Sequence, residues 1–489
     1  MKVLKSRFSR SLSLLGAVLL CAHPLCSEAV CALVGRADLF LQAALISLVL
    51  ISDSHGHFKD FSMGLVCAIS VLFKETGLKT FIFVACLKWT RSSSSKAQLL
   101  WIAMAFLVLF ARSWVTNYQF TNFSELDNPI VSEDLFGRLI CMFALVFRNS
   151  MLLLLPVDLC HDWSFGSFSP AAPVTIMEAI FGVCIISIIF QSIFRTFTKQ
   201  TSFLWLWLAL TYLPISNSLF LVGFVQAERS LYLMIPPLLI FLLLGFEKIS
   251  TKVQTETFKI LKIFIIGIFM AKTMIRSMDW QNEESLQTSA VKLGSLKSQV
   301  NLGSILGEAG KFNTSYFLLK DALRRKPTSD IFYNLALIEQ RAQKFASAEM
   351  SYKKCLNLRP SHDLCRLNLG VLHENDPNST DISEYYYQTC LESNLNCRFN
   401  LARLCYRRKE YHRTVQLLEK TATVKIASGW SPTYSMREQA SFLNLLGLAH
   451  LKLQNFETAR FYVEKSLETN PKHGPALAAM QILNSIQDL

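Results

Sequence analysis

Residues 173–194 read PVTIMEAIFGVCIISIIFQSIF, an apolar run with a single charged side chain, Glu178. A helix of about 20 mostly apolar residues is long enough to cross the hydrocarbon core of a bilayer. The stretch therefore predicts a membrane-spanning helix. Comparable runs lie near residues 11–22, 36–51, 60–74, 76–88, 97–113, 201–221, 230–246 and 258–276. We expect residues 1–280 to form an all-α, multi-span membrane domain with about nine crossings.

The composition of the whole chain agrees with a membrane domain joined to a soluble one. Hydrophobic residues make up 51% and charged residues 17% of the 489 residues, whereas an ordinary soluble domain carries about 25% charged residues. A disordered chain is excluded as well, because it needs low hydrophobicity and high charge. The net charge of +13 does not indicate nucleic-acid binding, since much of the basic excess lies in short loops between apolar runs.

The distribution of basic residues predicts which side of the membrane each loop faces. Lysine and arginine mark the cytoplasmic ends of spans. Four basic groups lie an even number of predicted spans apart, at Lys2–Arg10, Lys88–Lys96, Arg195–Lys199 and Lys248–Lys262. The amino terminus is then cytoplasmic and the soluble half is lumenal. Residues 11–22 also fit a signal peptide, because they are short and follow basic residues. The apolar runs that continue directly behind them favour a membrane helix.

One apolar segment, about 135–157, does not fit this alternation. If it crossed the membrane, the basic group at Arg195–Lys199 would end on the lumenal side. The segment also contains Arg138 and Arg148. We therefore expect a lumenal helix that lies in the membrane interface. In this topology three glycosylation sequons fall on the lumenal side, at Asn122, Asn313 and Asn378.

The second half of the chain repeats a short motif. Asn301-Leu302-Gly303 recurs as Asn334-Leu335-Ala336, and related strings begin at Asn368, Asn400 and Asn444. Spacings close to 34 residues resemble those of the tetratricopeptide repeat, a helix–turn–helix unit. We expect about five repeats over residues 295–489, stacked as an α-solenoid whose concave groove binds extended peptide. The alternative is an array that serves only as a spacer.

The 13 cysteines show no CxxC pair and no metal-ligand spacing. We accordingly predict no metal site and no cofactor. An oxidising lumen would permit a disulfide between Cys390 and Cys397. We favour buried free thiols in the repeats, because Cys355 occupies a position where small residues pack between helices.

Charged and polar groups near the ends of the apolar runs are candidates for a functional site, because ionisable groups at membrane depth are costly. All of them face the lumen in the predicted topology. They are His23, Glu28, Arg36, Asp38, Lys74, Glu75, His161, Asp162, Glu228, Arg229 and Tyr232. Arginine suits phosphate binding, and carboxylates can act as general bases. Structural alternatives stay open, namely local ion pairs for Arg36 with Asp38 and for Lys74 with Glu75, and membrane anchoring by the others.

The strings around these residues resemble a known family. His23-Pro24-Leu25-Cys26-Ser27-Glu28 and Gly35-Arg36-Ala37-Asp38 are similar to signatures of the transmembrane and tetratricopeptide-repeat-containing family. So are Lys74-Glu75-x-Gly77, Asp162-Trp163-Ser164 and Ala227-Glu228-Arg229. The resemblance covers nearly the whole chain, and the departures are mild. Ser27 stands where threonine is usual, and Thr76 where glutamine is usual.

This resemblance implies an endoplasmic-reticulum membrane enzyme of the GT-C glycosyltransferase fold. It implies transfer of mannose from dolichyl-phosphate mannose to Ser/Thr hydroxyls of client proteins, cadherin domains in particular, with the lumenal repeats recruiting the client. Arg229 and Arg36 would bind the phosphate, and His23 and Glu28 would lie near the sugar. The partners expected are the lipid-linked donor, the client and the membrane, and not nucleic acid.

One departure from the family concerns catalysis. Family members carry a further amino-terminal span and an acidic lumenal loop before the His-Pro string. Here 22 residues precede His23, and none of them is acidic. The resemblance is therefore to an N-terminally short form, in which Glu28 or Asp38 would have to replace the usual base. A catalytically inactive adaptor that binds clients through its repeats is the alternative. A transporter is disfavoured, because no mid-span acidic pair or inverted repeat is evident.

Overall fold

The computed structural model describes residues 10–53, 58–90, 95–116, 123–170, 172–195, 198–218, 221–250, 255–374, 376, 379–431 and 434–487. Over these ranges the chain forms α-helices and short 3-10 turns, and the only extended pairing is two isolated bridges. The all-α prediction is confirmed for this part of the chain. The structure divides into two compact units, Met1–Ile305 and Leu306–Leu489, and each is described by itself.

The helices up to residue 292 carry the predicted apolar runs. They are α1 Arg10–Ala22, α2 Cys26–Cys31, α3 Arg36–Ser52, α4 Lys59–Phe73, α5 Lys79–Thr90, α6 Ser95–Thr116, α7 Leu135–Leu154, α8 Pro173–Arg195, α9 Lys199–Tyr212, α10 Glu228–Leu231, α11 Ile235–Ser250, α12 Thr255–Asp279 and α13 Glu283–Lys292. Two apolar cores hold them together. One joins α1, α7 and α11, and the other joins α3 to α6 with α9.

Three stretches of helix are long and apolar enough to cross a membrane within the described residues, namely Leu135–Leu154, Pro173–Ile193 and Glu228–Lys248. The helices over most of the other predicted runs are shorter; α5, for example, has 12 residues. The predicted count of about nine crossings therefore stays a prediction. Large apolar side chains on the outside of the unit, such as Leu72 (84% exposed) and Phe106 (67%), fit a lipid environment better than water.

Helix α7 covers the segment that the charge pattern assigns to the membrane interface. Just before it, the Asn128 amide nitrogen donates to the Asn217 side-chain oxygen at 2.9 Å. Near its carboxyl end, the Asn149 side-chain oxygen accepts from the Gln226 amide at 2.6 Å. Asn128 before α7 and Asn149 near its carboxyl end thus contact Asn217 and Gln226, which lie between α9 and α10 in the sequence. The interfacial position stays a prediction, and α7 is long and apolar enough to span a bilayer.

From residue 296 the helices follow one another in pairs. They are α14 Leu296–Glu308, α15 Phe312–Arg325, α16 Ser329–Arg341, α17 Phe345–Leu358, α18 Asp363–Glu374, α19 Thr380–Thr389, α20 Leu395–Arg407, α21 Tyr411–Ser428, α22 Met436–Lys452, α23 Phe456–Thr469 and α24 Gly474–Gln487. The turn inside a pair ends the first helix with a left-handed residue. Gly310, Gln343, Lys409 and Gln454 occupy this position, with φ of 78°, 59°, 67° and 63°.

The glycine of the repeated motif has a packing role. A Cβ at Gly370 would lie 2.4 Å from the ring of Tyr387, and the Ser383 hydroxyl donates to the Gly370 carbonyl at 2.8 Å. Helix α19 therefore packs directly against the backbone of α18. The small residue in the motif allows this close approach between the two helices of a repeat.

The structure corrects the expectation of free thiols in the repeats. Cys355 is bonded to Cys365, and Cys390 to Cys397, whereas Cys405 stays a buried thiol. Each bridge joins the carboxyl end of the second helix of one pair to the first turn of the next pair. The small-residue packing position at Cys355 does bring helices close, and a second cysteine faces it there.

Candidate functional site

A buried ion pair joins the predicted site residues Glu28 and Arg229. The short helix α2 carries Glu28, which is 1% exposed. Its two carboxylate oxygens accept from the Arg229 guanidinium at 2.6 Å and from the Arg229 backbone N–H at 3.0 Å. A Cβ at Gly35 would lie 2.7 Å from the Glu28 carbonyl, so the turn between α2 and α3 requires glycine. The sequence placed both residues at one site, and the structure brings them into direct contact.

A second ion pair lies beside the first. Glu228 is fully buried, and its carboxylate accepts hydrogen bonds from Arg276 Nε and Nη2, each at 3.2 Å. Arg276 also donates to Asp279 at 2.9 Å and interacts electrostatically with Glu28. We call Glu28, Glu228, Arg229, Arg276 and Asp279 the arginine cluster. Sequence reasoning missed Arg276, although a lone arginine at the end of the apolar run 258–276 is a recognisable signal.

Three nitrogen atoms near the arginine cluster have no hydrogen-bond partner among the described residues. They belong to His161 (Nδ1), Trp163 (Nε1) and Trp280 (Nε1). The His161 ring meets Trp280 edge-on, with centroids 6.2 Å apart, and Arg276 lies 5.8 Å from the Trp280 ring. Buried polar atoms are nearly always bonded. Hydroxyl and phosphate oxygens are acceptors that nitrogens of this kind can bond.

His161 is neutral at physiological pH. Burial lowers its pKa to about 4; the Asp162 carboxylate raises the pKa, and Arg276 and Lys297 lower it further. A neutral imidazole with a free nitrogen can exchange a hydrogen bond with a sugar or acceptor hydroxyl. It cannot supply a fixed positive charge to a phosphate.

Asp38 and Lys74 form a second centre. The Lys74 ammonium donates to both Asp38 oxygens, at 2.7 and 2.8 Å. Lys79, which is 6% exposed, interacts electrostatically with both residues. We call these three residues the lysine cluster. The sequence analysis left open pairs of Asp38 with Arg36 and of Lys74 with Glu75; the structure pairs Asp38 with Lys74 instead. Lys79 was not predicted.

The other predicted site residues have different surroundings. The His23 ring donates from Nε2 to the Leu153 carbonyl at 3.0 Å and accepts the Leu25 N–H on Nδ1 at 3.3 Å. Both ring nitrogens are therefore bonded. Burial lowers the pKa of His23 to about 4, so the ring is neutral at physiological pH. Arg36 is exposed at the start of α3, and Tyr232 is partly buried between the two apolar cores. The side chain of Glu75 lies outside the described atoms.

Asp162 anchors its own loop. Its Oδ2 accepts from the Ser164 hydroxyl at 3.2 Å and from the Ser295 hydroxyl at 3.1 Å, and Ser298 lies at 3.5 Å. These bonds hold the 158–168 loop against the start of α14, and they position His161 and Trp163. Of the predicted glycosylation residues, Asn313 is exposed on α15. Asn122 and Asn378 lie outside the described residues.

The repeat unit contains a pocket of about 330 Å³. It is formed by the first helices of three successive pairs, α18, α20 and α22, and by the loop after α21. Its lining includes Phe399, Phe442, Trp430, Asn368 and Asn400. The Trp430 ring meets Phe442 edge-on at 5.3 Å. Aromatic rings and carboxamides of the repeated motif thus share one concavity.

Two family models match parts of this chain. The model described as "Protein O-mannosyl-transferase TMTC, DUF1736" matches residues 117–181. The tetratricopeptide-repeat model matches residues 329–362 and 440–473. The first match contains His161, Asp162 and Trp163, and the second lies in the helical pairs.

Curated relatives are named protein O-mannosyl-transferases. One from Caenorhabditis elegans is 31% identical over 307 residues, which cover 60% of this chain and 43% of that protein. TMTC3 of Homo sapiens is 24% identical and covers 98% of this chain and 58% of its own length. TMTC4 of Mus musculus is 29% identical, and the match covers 61% of this chain and 47% of that protein. The chain spans about half the length of these relatives. Among solved structures, YrrB, "a TPR protein with an unusual peptide-binding site", is 14% identical and covers 40% of this chain and 97% of its own, with a TM-score of 0.31.

The helices, the lipid-facing apolar surface and the paired repeats define a helical membrane protein that carries a tetratricopeptide-repeat region. Five of the eight residues in its two charged clusters lie on the strings that the sequence singled out. These matches support a resemblance of the chain to the transmembrane and tetratricopeptide-repeat-containing family of protein O-mannosyl-transferases.

Proposed function

We propose that this protein transfers mannose from dolichyl-phosphate mannose to Ser/Thr hydroxyls of client proteins at the endoplasmic-reticulum membrane. The relatives' names support O-mannosyl transfer as the reaction class. The observation that carries the proposal is the set of unpartnered nitrogens on His161, Trp163 and Trp280 beside the arginine cluster. A sugar offers several hydroxyls in a small volume, and these nitrogens can bond them.

In the proposed reaction the acceptor hydroxyl attacks the anomeric carbon of mannose. The bond from that carbon to the phosphate oxygen breaks, dolichyl phosphate leaves, and the hydroxyl proton passes to a carboxylate. Glu28 and Asp38 are the candidate bases. Each has both oxygens engaged by a cationic residue, Arg229 or Lys74. A phosphate that takes over such a cation would free the carboxylate, so donor binding and base activation would be coupled.

The client side of the proposal rests on the repeat unit. An extended segment of a client, such as a cadherin domain, would lie in the concave groove, with a side chain in the pocket beside Trp430. Two disulfides in this unit fit an oxidising lumen. Binding of labelled client to the full chain in detergent tests this part. Trp430→Ala should weaken it roughly tenfold, whereas Phe461→Ala, an exposed aromatic outside the pocket, should not.

The second candidate function is a catalytically inactive membrane adaptor that recruits clients through its repeats. The favouring observation is that both candidate bases are held in ion pairs. An adaptor would need the repeat pocket and would not need the unpartnered nitrogens.

The deciding experiment measures transfer of labelled mannose from dolichyl-phosphate mannose to a recombinant cadherin domain. Membranes with the wild-type chain are compared with membranes carrying Arg229→Ala. The double variant Glu28→Gln with Arg229→Gln keeps a neutral pair and guards against misfolding. Arg138→Ala is the matched control, because Arg138 bonds only backbone carbonyls next to its own helix. Transfer that is lost in both site variants and kept in the control supports the enzyme; a wild-type chain that binds the client without transfer supports the adaptor.

A further inference from the structure

The two charged clusters differ in charge balance. In the arginine cluster two guanidinium groups face three carboxylates, those of Glu28, Glu228 and Asp279. In the lysine cluster the described side chains supply two ammonium groups and one carboxylate. The Lys74 ammonium donates to both carboxylate oxygens of Asp38. No hydrogen-bond acceptor for buried Lys79 is found among the described residues. Among the described side chains, the lysine cluster therefore has one positive charge in excess, which suits an anion.

Two unpartnered polar side chains lie close to the lysine cluster in the sequence. Gln42 lies one helical turn after Asp38, on the same face of α3; it is 1% exposed, and neither atom of its amide is bonded. The buried Thr76 hydroxyl also lacks a partner. The turn that carries Thr76 is fixed, because a Cβ at Gly77 would lie 2.2 Å from the Ser70 carbonyl oxygen. Buried polar groups of this kind cost free energy unless a ligand bonds them.

We infer that the lysine cluster, with Gln42 and Thr76, binds the phosphate of a lipid monophosphate. The ammonium groups, the amide and the hydroxyl are all donors suited to phosphate oxygens. Apolar surface for the lipid chain lies next to them in sequence. Phe40 and Phe73 stack with ring centroids 4.5 Å apart, and they are 53% and 50% exposed.

This inference rests on the proposed function, since it takes the donor to be a lipid phosphate, and it changes the assignment of residues. The predicted phosphate contacts at Arg229 and Arg36 are replaced by Lys74 and Lys79. The arginine cluster, in which carboxylates outnumber guanidinium groups, is then left for the sugar and the acceptor hydroxyl.

The test is equilibrium binding of a fluorescent dolichyl-phosphate analogue to the full chain in detergent. Citronellyl phosphate, inorganic phosphate and citronellol serve as competitors. We expect citronellyl phosphate to compete best and citronellol not at all. Lys79→Met should weaken binding about ten- to hundredfold, and Lys79→Arg should restore much of it. Lys88→Met is the control on the same helix, because Lys88 pairs with Asp60 instead.

A stability measurement separates a binding role from a structural one. Without ligand, Lys79→Met and Gln42→Leu should unfold at the same or a higher temperature than wild type, because each removes a buried unpartnered group. The inference is overturned if either variant unfolds earlier, or if Lys79→Met binds the analogue as wild type does. Equal competition by inorganic phosphate would overturn the lipid assignment. The assay contains no mannose, so its result stands apart from failure of mannose transfer.

Discussion

The buried pair of Glu228 and Arg276 allows a quantitative test of the arginine cluster. Both side chains are 1% exposed or less and share two hydrogen bonds of 3.2 Å. Removal of one member of such a pair costs about 3–5 kcal/mol, because the other charge stays buried without its partner. Arg276→Gln should therefore lower the free energy of unfolding by about 3–5 kcal/mol. Glu228→Gln should cost less, since Arg276 keeps Asp279 at 2.9 Å.

The assay is a double-mutant cycle on the full chain, with unfolding by sodium dodecyl sulfate in mixed micelles followed by tryptophan fluorescence. The double variant Glu228→Gln with Arg276→Gln should be much less destabilised than the sum of the single variants. We expect a coupling free energy of about 2 kcal/mol or more, within the range that residues in direct contact show. A coupling below about 0.5 kcal/mol is what independent sites give, and it would refute the pairing.

Three further predictions follow from other features. Cys355→Ser with Cys365→Ser should lower the stability of the repeat unit by about 2–3 kcal/mol, the cost of opening a short disulfide loop; chemical denaturation measures it, and no change would mean that the thiols are free. His23 has a pKa of about 4 in the folded chain against an ordinary 6.5, so protons bind the unfolded chain first. Stability should fall by about 1.4 kcal/mol per pH unit from pH 6.5 towards 4, and His23→Asn should flatten this dependence. Asn313 is exposed on α15, and Asn313→Gln should remove one glycan from the protein made in cells, seen as a gel shift; an unchanged mobility would contradict a lumenal repeat unit.

Much of the architecture could be predicted from local patterns. The apolar runs and the 34-residue spacing specify helices, because both are set by residues close together in the sequence. Local patterns could not predict that these cysteines form disulfides. Whether Cys355 faces another cysteine depends on how the next helix pair packs, and small-residue spacing does not show that.

The site was predicted as a set of residues and not as a set of contacts. Glu28 and Arg229 are 201 positions apart, and no local rule joins them. Sequence reasoning left open a pair of Lys74 with its neighbour Glu75, whereas packing of α3 against the turn after α4 brings Asp38 to Lys74. Arg276 and Lys79 lie within or at the edge of apolar runs. The prediction treated each run as a membrane span and overlooked the charged residue in it.

The two disulfides have a mechanical consequence. A repeat array behaves as a row of units that interact only with their nearest neighbours, so each junction is a hinge. Two successive hinges, one on each side of the α18–α19 pair, are locked covalently, and the outer ones are not. Mechanical force or partial denaturation should therefore unfold the terminal helix pairs first. The groove formed by α18 and α20 should then be stiffest while the surroundings are oxidising, and a reduced chain would present a more deformable surface to a bound segment.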